Sequence, residues 1–469
     1  MRYALRFTGE QHAQLRAHLF PGDGLEAAAL VLCGRMRGDD RQAFCARRLV
    51  LIPHEQCERT EQSVDWPTKF ADSIIEEAMQ RGMAIVKVHS HPGGLETFSA
   101  RDDESDRSFF RSVCDLLEDG KPHGSAVMLP GGDGRTFARV ITPGDETQPV
   151  ELVAVAGQHL SLWYSEGRGY NLPGFVQRHA QAFGEGTVEL LRRMTIAVVG
   201  CSGTGSPLIE QLVRLGVGCL VLVDHDHVEW RNLNRINMST AADANLGRFK
   251  VEMLAEAIGR IGLGTCVVPL AIDLDTPKAV KSVAACDVVI GCMDSWYGRD
   301  LLDRLATFYV LPYIDIGVQL RALPAGGIDQ IWGAVHYLQP GRSSLKSRGA
   351  YTSEHVRSEL LLRNDPKEYR KRFRQKYITG VQEGRPAVIS VNTLVAAMAV
   401  NELLARIHHY RIPGDDGFAV QRVALHEGHT YCDAESQMTT CPVLSREVGR
   451  GDTVPLLDRP ELTEGQDSV

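Results

Sequence analysis

No two of the eleven cysteines in this sequence stand in a C-x-x-C arrangement. That excludes the paired knuckle of a four-cysteine zinc site and the dense spacing of a disulfide scaffold. Long apolar runs are missing as well, since no window reaches the roughly 18 residues a membrane span needs. The closest, 387–407, is interrupted by Ser390, Asn392, Asn401 and Glu402 and is expected to be a core helix. The opening residues MRYALRFTGEQH lack the apolar centre of a secretory leader, so a cytoplasmic location is expected, with no membrane partner. Positive charge is not in excess either: the net charge of -8 gives no electrostatic basis for nonspecific nucleic-acid binding. At 469 residues the chain has room for two or three domains.

What is present is concentrated first in 195–235, TIAVVGCSGTGSPLIEQLVRLGVGCLVLVDHDHVEWRNLNR. An apolar run over Thr195–Val199 breaks at Gly200, Gly203 and Gly205, and apolar residues then return at helical spacing at Leu208, Ile209, Leu212 and Val213. A second run, Cys219–Val223, ends on Asp224. Strand, tight turn, helix, strand and acid is the order that sets a phosphate at a helix N-terminus and a ribose on the carboxylate. Ser202 stands in place of the second fingerprint glycine.

The second concentration lies in the first third of the chain. A strand over Met83–Val88 is expected to lead into His89-Ser-His91, followed after seven residues by Ser99 and after two more by Asp102. Histidines one residue apart on extended chain point to the same side, so both imidazoles can reach one ion and Asp102 can supply a third ligand. Three protein ligands leave a position for water, the mark of a catalytic zinc site. An apolar element over Glu26–Gly34 places Glu26 as the general base if the fold brings it alongside. A helix over Ser105–Leu117 and a strand over Gly124–Leu129 complete the expected neighbourhood, and the domain is expected to be complete by about Gln148.

The pattern Glu26, His89-x-His91, Ser99, Asp102 resembles the JAMM/MPN metalloprotease family, whose members cut after the C-terminal glycine of ubiquitin or its relatives. The resemblance implies that His89, His91 and Asp102 bind zinc, Glu26 is the base and Ser99 helps hold the tetrahedral intermediate. The continuation Asp224-His-Asp226-His-Val-Glu-Trp-Arg-Asn232-Leu-Asn-Arg235 is one that a dinucleotide-binding oxidoreductase has no reason to carry. It resembles the ThiF/MoeB and ubiquitin-activating-enzyme superfamily over roughly 178–407. Those proteins adenylate the C-terminal glycine of a ubiquitin-like or sulfur-carrier protein.

By this second resemblance Gly200, Gly203, Gly205 and Asp224 bind ATP, Asn232, Arg235 and Lys250 contact its phosphates, and Asp294, just past a strand over Asp287–Cys292, binds magnesium. Arg178 takes the place of an arginine that reaches across a homodimer to the bound phosphates. The expected organisation is α/β throughout: a JAMM/MPN domain over 1–160, a linker over 161–177, a Rossmann-like, doubly wound ThiF-type domain over 178–430, and a C-terminal arm over 431–469, extended or disordered beyond Asp458.

One departure bears on mechanism. Relatives carry paired zinc cysteines and a thioester-forming cysteine, yet nothing between Cys292 and Cys432 is cysteine, and Ser344 and Ser347 occupy the expected C-x-x-C places. The resemblances imply a bifunctional enzyme acting on one ubiquitin-like protein, with zinc, ATP and magnesium and a separate conjugating enzyme, in a bacterial pathway of antiviral defence. The alternatives are activation of a sulfur carrier for biosynthesis and a non-catalytic scaffold for a ubiquitin-like protein. The basic run 366–376 reads as a solvated helix face or a surface for an acidic partner.

Overall fold

Ala28, Leu30 and Leu32 face one side of the strand Ala28–Arg37, while Ala29, Val31 and Cys33 face the other. A strand apolar on both faces must lie between two layers, and period-two alternation sorts its residues into two cores. The computed structural model describes residues 1–165, 172–323, 326–375, 386–412 and 414–463. Residues 166–171 of the expected linker and 464–469 of the expected arm lie outside the described residues. The chain divides into two units, the first comprising Met1–Gly169, Phe308–Val310 and Glu447–Asp458, the second Tyr170–Thr307, Leu311–Arg446 and Arg459–Val469.

The first unit is built on a nine-stranded sheet. Its central neighbours are Arg2–Thr8, Arg41–Leu51, Ala28–Arg37, Ala84–Ser90 and His123–Met128, in that order. The helix Gly9–Leu19 adds Leu15 and Leu19 to one core, and the helices Lys69–Arg81 and Ala100–Leu117 add Ile74, Ala78, Phe110 and Val113 to the other. The same alternation governs Ala84–Ser90: Ala84, Val86 and Val88 join the first core, so Lys87 and His89 are turned with Ile85 toward the face that carries Ala100–Leu117.

Three local expectations need correction. The sheet does not stop near Gln148, because Leu152–Ala156 and Leu160–Tyr164 form its far edge. The strand Ala28–Arg37 passes through Gly34 instead of ending on the glycine. Gly34 is there because the C-terminal segment crosses it: its N–H donates to the Gly449 carbonyl at 3.0 Å, and a Cβ would lie 2.3 Å from Arg450 backbone. The chain past Asp458 is also folded as far as described, with Pro460–Leu462 forming a short turn and Leu462 fully buried.

The second unit holds an eight-stranded sheet. Five strands are parallel, in the order Cys266–Leu270, Cys219–Val223, Thr195–Val199, Val288–Gly291 and Tyr313–Ala322, and three antiparallel strands follow. The order reverses between Thr195–Val199 and Val288–Gly291, and a crevice for ligands opens beyond the carboxyl ends of strands at such a point. Apolar runs without alternation made Thr195–Val199, Cys219–Val223 and the run at 287–292 legible as buried strands. The run at 387–407 is the helix Ile389–His408, with Asn392, Glu402 and Arg406 among its buried residues. No helix among the described residues is long and apolar enough to cross a membrane.

Candidate functional site

Among the described residues, the side chains singled out in the sequence gather in each of the two units. In the first, the strand Ala84–Ser90 ends by delivering His89 and the following His91, and the helix Ala100–Leu117 brings Asp102 up to them. His89 Nε2 lies 3.1 Å from His91 Nε2 and 2.9 Å from Asp102 Oδ1, and His91 Nε2 lies 3.3 Å from Asp102 Oδ2. One ligand atom from each therefore falls within a 4.8 Å span. His89 and His91 are buried, and His89 Nδ1 has no hydrogen-bond partner among the described residues. His91 is oriented by its Nδ1, 2.8 Å from the Leu95 carbonyl. Three inward-facing donors of the nitrogen and carboxylate type suit zinc.

The helix carrying Asp102 begins at Ala100, five residues before the expected start, because Ser99 and Asp102 form a reciprocal capping box. Ser99 Oγ donates to Asp102 Oδ2 at 2.8 Å and accepts the Asp102 N–H at 3.2 Å. Burial works against the Asp102 charge, but hydrogen bonds from His89 and His91 outweigh it and hold the carboxyl well below its usual range. Glu26 reaches the cluster through register. Ala28 pairs with His89 in antiparallel strands, so the chain two residues earlier arrives level with His91. Burial pushes the Glu26 carboxyl up to about 7, with His91 drawing it down and Asp102 raising it further. A carboxyl tuned near neutrality suits a group that accepts and returns a proton.

Sequence reasoning missed the layer beneath. Lys87, on the same strand face as His89, forms a buried ion pair with Asp106, one turn beyond Asp102 on its helix. Arg139 pairs with Asp106 at 2.6 Å and also with Asp103, tying the helix to the strand Thr136–Ile141. The signal was a lysine inside an apolar strand, where an unpaired charge is not tolerated.

In the second unit Gly200 follows Thr195–Val199 with φ +91°, and a Cβ there would lie 2.8 Å from the Cys292 carbonyl oxygen. At Gly205 a Cβ would lie 2.0 Å from the Gly200 carbonyl oxygen, and at Gly203 it would strike Asn392 and Arg235. Gly200 and Gly205 are thus required by close approach to backbone, while Gly203 meets only side-chain atoms, and the loop closes onto the N-terminus of the helix Gly205–Leu215, a cradle suited to phosphate. Asp224 braces it, accepting the Cys201 N–H at 2.7 Å and the Asp226 N–H at 2.9 Å. The buried Lys250 opens the helix Lys250–Ile261, with Nζ 2.6 Å from Asp226 and 3.7 Å from Asp224. Asp226, to which the sequence reading assigned no role, is the nearer partner. Burial raises its carboxyl, but Lys250 together with His225 and His227 brings it below the usual range.

Asn232 is buried, its Oδ1 accepting the Glu229 N–H at 3.1 Å, and Arg235 donates to the Arg231 carbonyl at 2.8 Å. Asp294 is exposed just past Val288–Gly291. It does not cap the next helix, since Ser295 Oγ accepts the Gly298 N–H at 3.0 Å. Arg178 is exposed on the helix Gln177–Phe183 and makes no hydrogen bond or ion pair among the described residues. The serines in the cysteine places are satisfied locally: Ser347 Oγ donates to the Thr439 carbonyl at 2.9 Å and accepts the Ser344 N–H at 3.0 Å.

Comparison with known proteins follows the same division. Residues 9–139 match prokaryotic homologs of the JAB domain. Ubiquitin-like modifier-activating enzyme 5 of Culex quinquefasciatus is 27% identical over 168 residues, 33% of this chain and 40% of that protein. SAMP-activating enzyme E1 of Haloferax volcanii is 34% identical over 119 residues, covering 25% and 43%. Adenylyltransferase and sulfurtransferase MOCS3 of Danio rerio is 33% identical over 124 residues, covering 26% and 27%. The chain thus spans less than half the length of these curated relatives. Among solved structures, E. coli MccB with ATP matches at TM-score 0.43 and 18% identity over 59% of this chain and 75% of that one, a likeness too weak to bear on chemistry. The ThiF family match covers residues 176–443, more than half of the sequence, and the chain belongs to the ThiF family, with a JAB-type domain fused ahead of it.

Proposed function

We propose that this protein acts twice on the C-terminus of one ubiquitin-like protein, adenylating its terminal glycine with ATP and magnesium in the ThiF part and cleaving a bond to that glycine in the JAB-type part. The observation that carries the reading is the convergence of His89, His91 and Asp102 beside Glu26 in a chain that also builds the Gly200–Gly205 cradle. In the first site His89, His91 and Asp102 would hold zinc, which supplies Lewis acidity. Glu26 takes the proton from water and returns it to the leaving amine, and Ser99 keeps Asp102 in place. In the second, the glycine loop and helix N-terminus bind phosphate, Lys250 and Arg235 offset its charge, Asp224 takes the ribose, and Asp294 holds magnesium. A homodimer with Arg178 acting across the interface completes this reading.

Cleaving a precursor tail exposes the carboxylate that the adenylating site uses, so the two activities form a sequence, and the peptidase can later remove conjugates. The relatives named as activating enzymes support this, and a gene neighbourhood with a ubiquitin-like protein and a conjugating enzyme would fit bacterial defence. The relative named an adenylyltransferase and sulfurtransferase favours a second reading, activation of a sulfur carrier, but no cysteine between Cys292 and Cys432 is available to handle sulfur. The test uses the full chain, ATP, magnesium and the ubiquitin-like protein of its own gene neighbourhood, with and without a C-terminal extension. Pyrophosphate release with the mature form and chelator-sensitive trimming of the extended form are expected. Neither activity would leave only the scaffold.

A further inference from the structure

We infer that Asn392 is a nucleotide-binding residue whose side-chain amide, beside Gly203 of the glycine turn, donates to a phosphate oxygen. The inference deepens the ATP-binding reading above and rests on it. Asn392 is one of the polar residues that interrupt the apolar run 387–407, and it sits in the first turn of the helix Ile389–His408. It is only 4% exposed, and its amide makes no hydrogen bond to any described residue. No described residue takes up that amide, so a bound acceptor can pair with it without breaking a hydrogen bond of the native fold.

Its direction identifies the acceptor. A Cβ placed on Gly203 would lie 2.5 Å from Asn392 Nδ2 and 3.1 Å from Arg235 Cδ, so amide, arginine stem and glycine turn meet at one point. That point is two residues ahead of Gly205, which opens an eleven-residue helix, so the positive end of the helix dipole faces the same space. Asp224, the ribose residue of the proposed site, is engaged instead with the N–H groups of Cys201 and Asp226. A neutral amide with a donor edge, beside a guanidinium stem and a helix N-terminus, fits a phosphate oxygen better than a sugar hydroxyl or a base.

The test is calorimetric titration of the full chain with ATP and magnesium, and separately with adenosine, for the natural protein, Asn392→Ala and Asn392→Asp, alongside melting of each ligand-free protein. Asn392→Ala should weaken ATP about 10-fold, the scale of one hydrogen bond to a charged group, and leave adenosine unchanged. Asn392→Asp should weaken ATP by about 100-fold or more, because it sets a carboxylate against phosphate charge. Both ligand-free variants should melt with the natural protein, since no bond within the chain is lost. Equal ATP affinity in all three proteins would overturn the assignment while leaving the ATP site intact. Parallel losses for ATP and adenosine with a lowered melting temperature would overturn it in favour of a packing role. Failure of the natural protein to bind ATP would instead sink the reading on which it rests.

Discussion

Ser99 and Asp102 hold each other in both directions: the serine hydroxyl donates to Oδ2 at 2.8 Å while accepting the aspartate's own N–H at 3.2 Å. The same carboxylate faces His89 through Oδ1 at 2.9 Å. The cap of a helix and the orientation of a candidate metal ligand are therefore one structure. Resemblance assigns Ser99 to the reacting carbonyl, whereas its observed bonds run to the ligand.

The consequence is measurable. Ser99→Ala should cost about 1 kcal/mol of stability, the usual loss for an N-cap, and should weaken zinc about 10-fold, as removal of an outer-shell partner does. Ser99→Thr should restore both. His91→Ala, which removes a ligand outright, should abolish zinc binding in elemental analysis while ATP binding persists. Unchanged metal affinity in Ser99→Ala with reduced turnover would return the residue to the carbonyl.

Acid should loosen the first unit through two buried imidazoles. Burial lowers His12 to about 4, and its Nε2 is 3.1 Å from the Gly134 carbonyl; burial likewise lowers His123 to about 3, where Nδ1 accepts the Ile85 N–H at 3.0 Å. Both lie below the ordinary 6.5, so the unfolded chain takes the proton first as pH falls. The stability from each neutral ring is complete above 6.5, declines below it, and is fully lost under about 4 for His12. The loss at His12 is on the order of 3 kcal/mol. Protection factors of the strand His123–Met128, corrected at each pH for the intrinsic exchange rate, should fall from pH 7 to 4 in the natural protein and less steeply in His12→Gln. Parallel curves would refute the assignment.

Arg178 has no partner among the described residues, which suits a cation that serves another protomer. Arg178→Ala and Asp294→Ala chains should each be defective in adenylation, and mixed dimers should regain part of it, because one intact composite site forms. No recovery on mixing would place Arg178 in its own chain's site or outside both.

Covalent transfer through a thiol is not expected. Burial raises Cys201 and Cys292 well above the usual thiol range and raises Cys432 as well, so none of these is poised as a thiolate near neutrality. Incubation with ATP, magnesium and mature carrier should leave no reductant-labile adduct in intact-mass spectra. Passage of the activated carrier directly to a separate conjugating protein then follows, with an ester on Ser343, Ser344 or Ser347 the lesser route. A reductant-labile mass shift would restore a thioester relay.

Local sequence alone was enough to define Thr195–Val199 and Cys219–Val223, whose bounds agree with the structure residue for residue. Each is a continuous apolar run closed by a turn former or an acid, and burial on both faces leaves such runs no other use. Spacing likewise made His89, His91 and Asp102 legible, because a strand end and a capped helix start are local features. Sequence did not disclose the true start of Ala100–Leu117, since Arg101, Asp102 and Asp103 hid a capping box in a charged run. Only tertiary structure could decide the rest. Antiparallel register carries Glu26 across the sequence to His91; Lys87 finds Asp106 because two elements share a face; Asn392 reaches Gly203 because a helix far along the chain packs beside the loop. Those relations depend on which surfaces pack together, a choice made by the burial of whole elements and written in no single stretch of the chain.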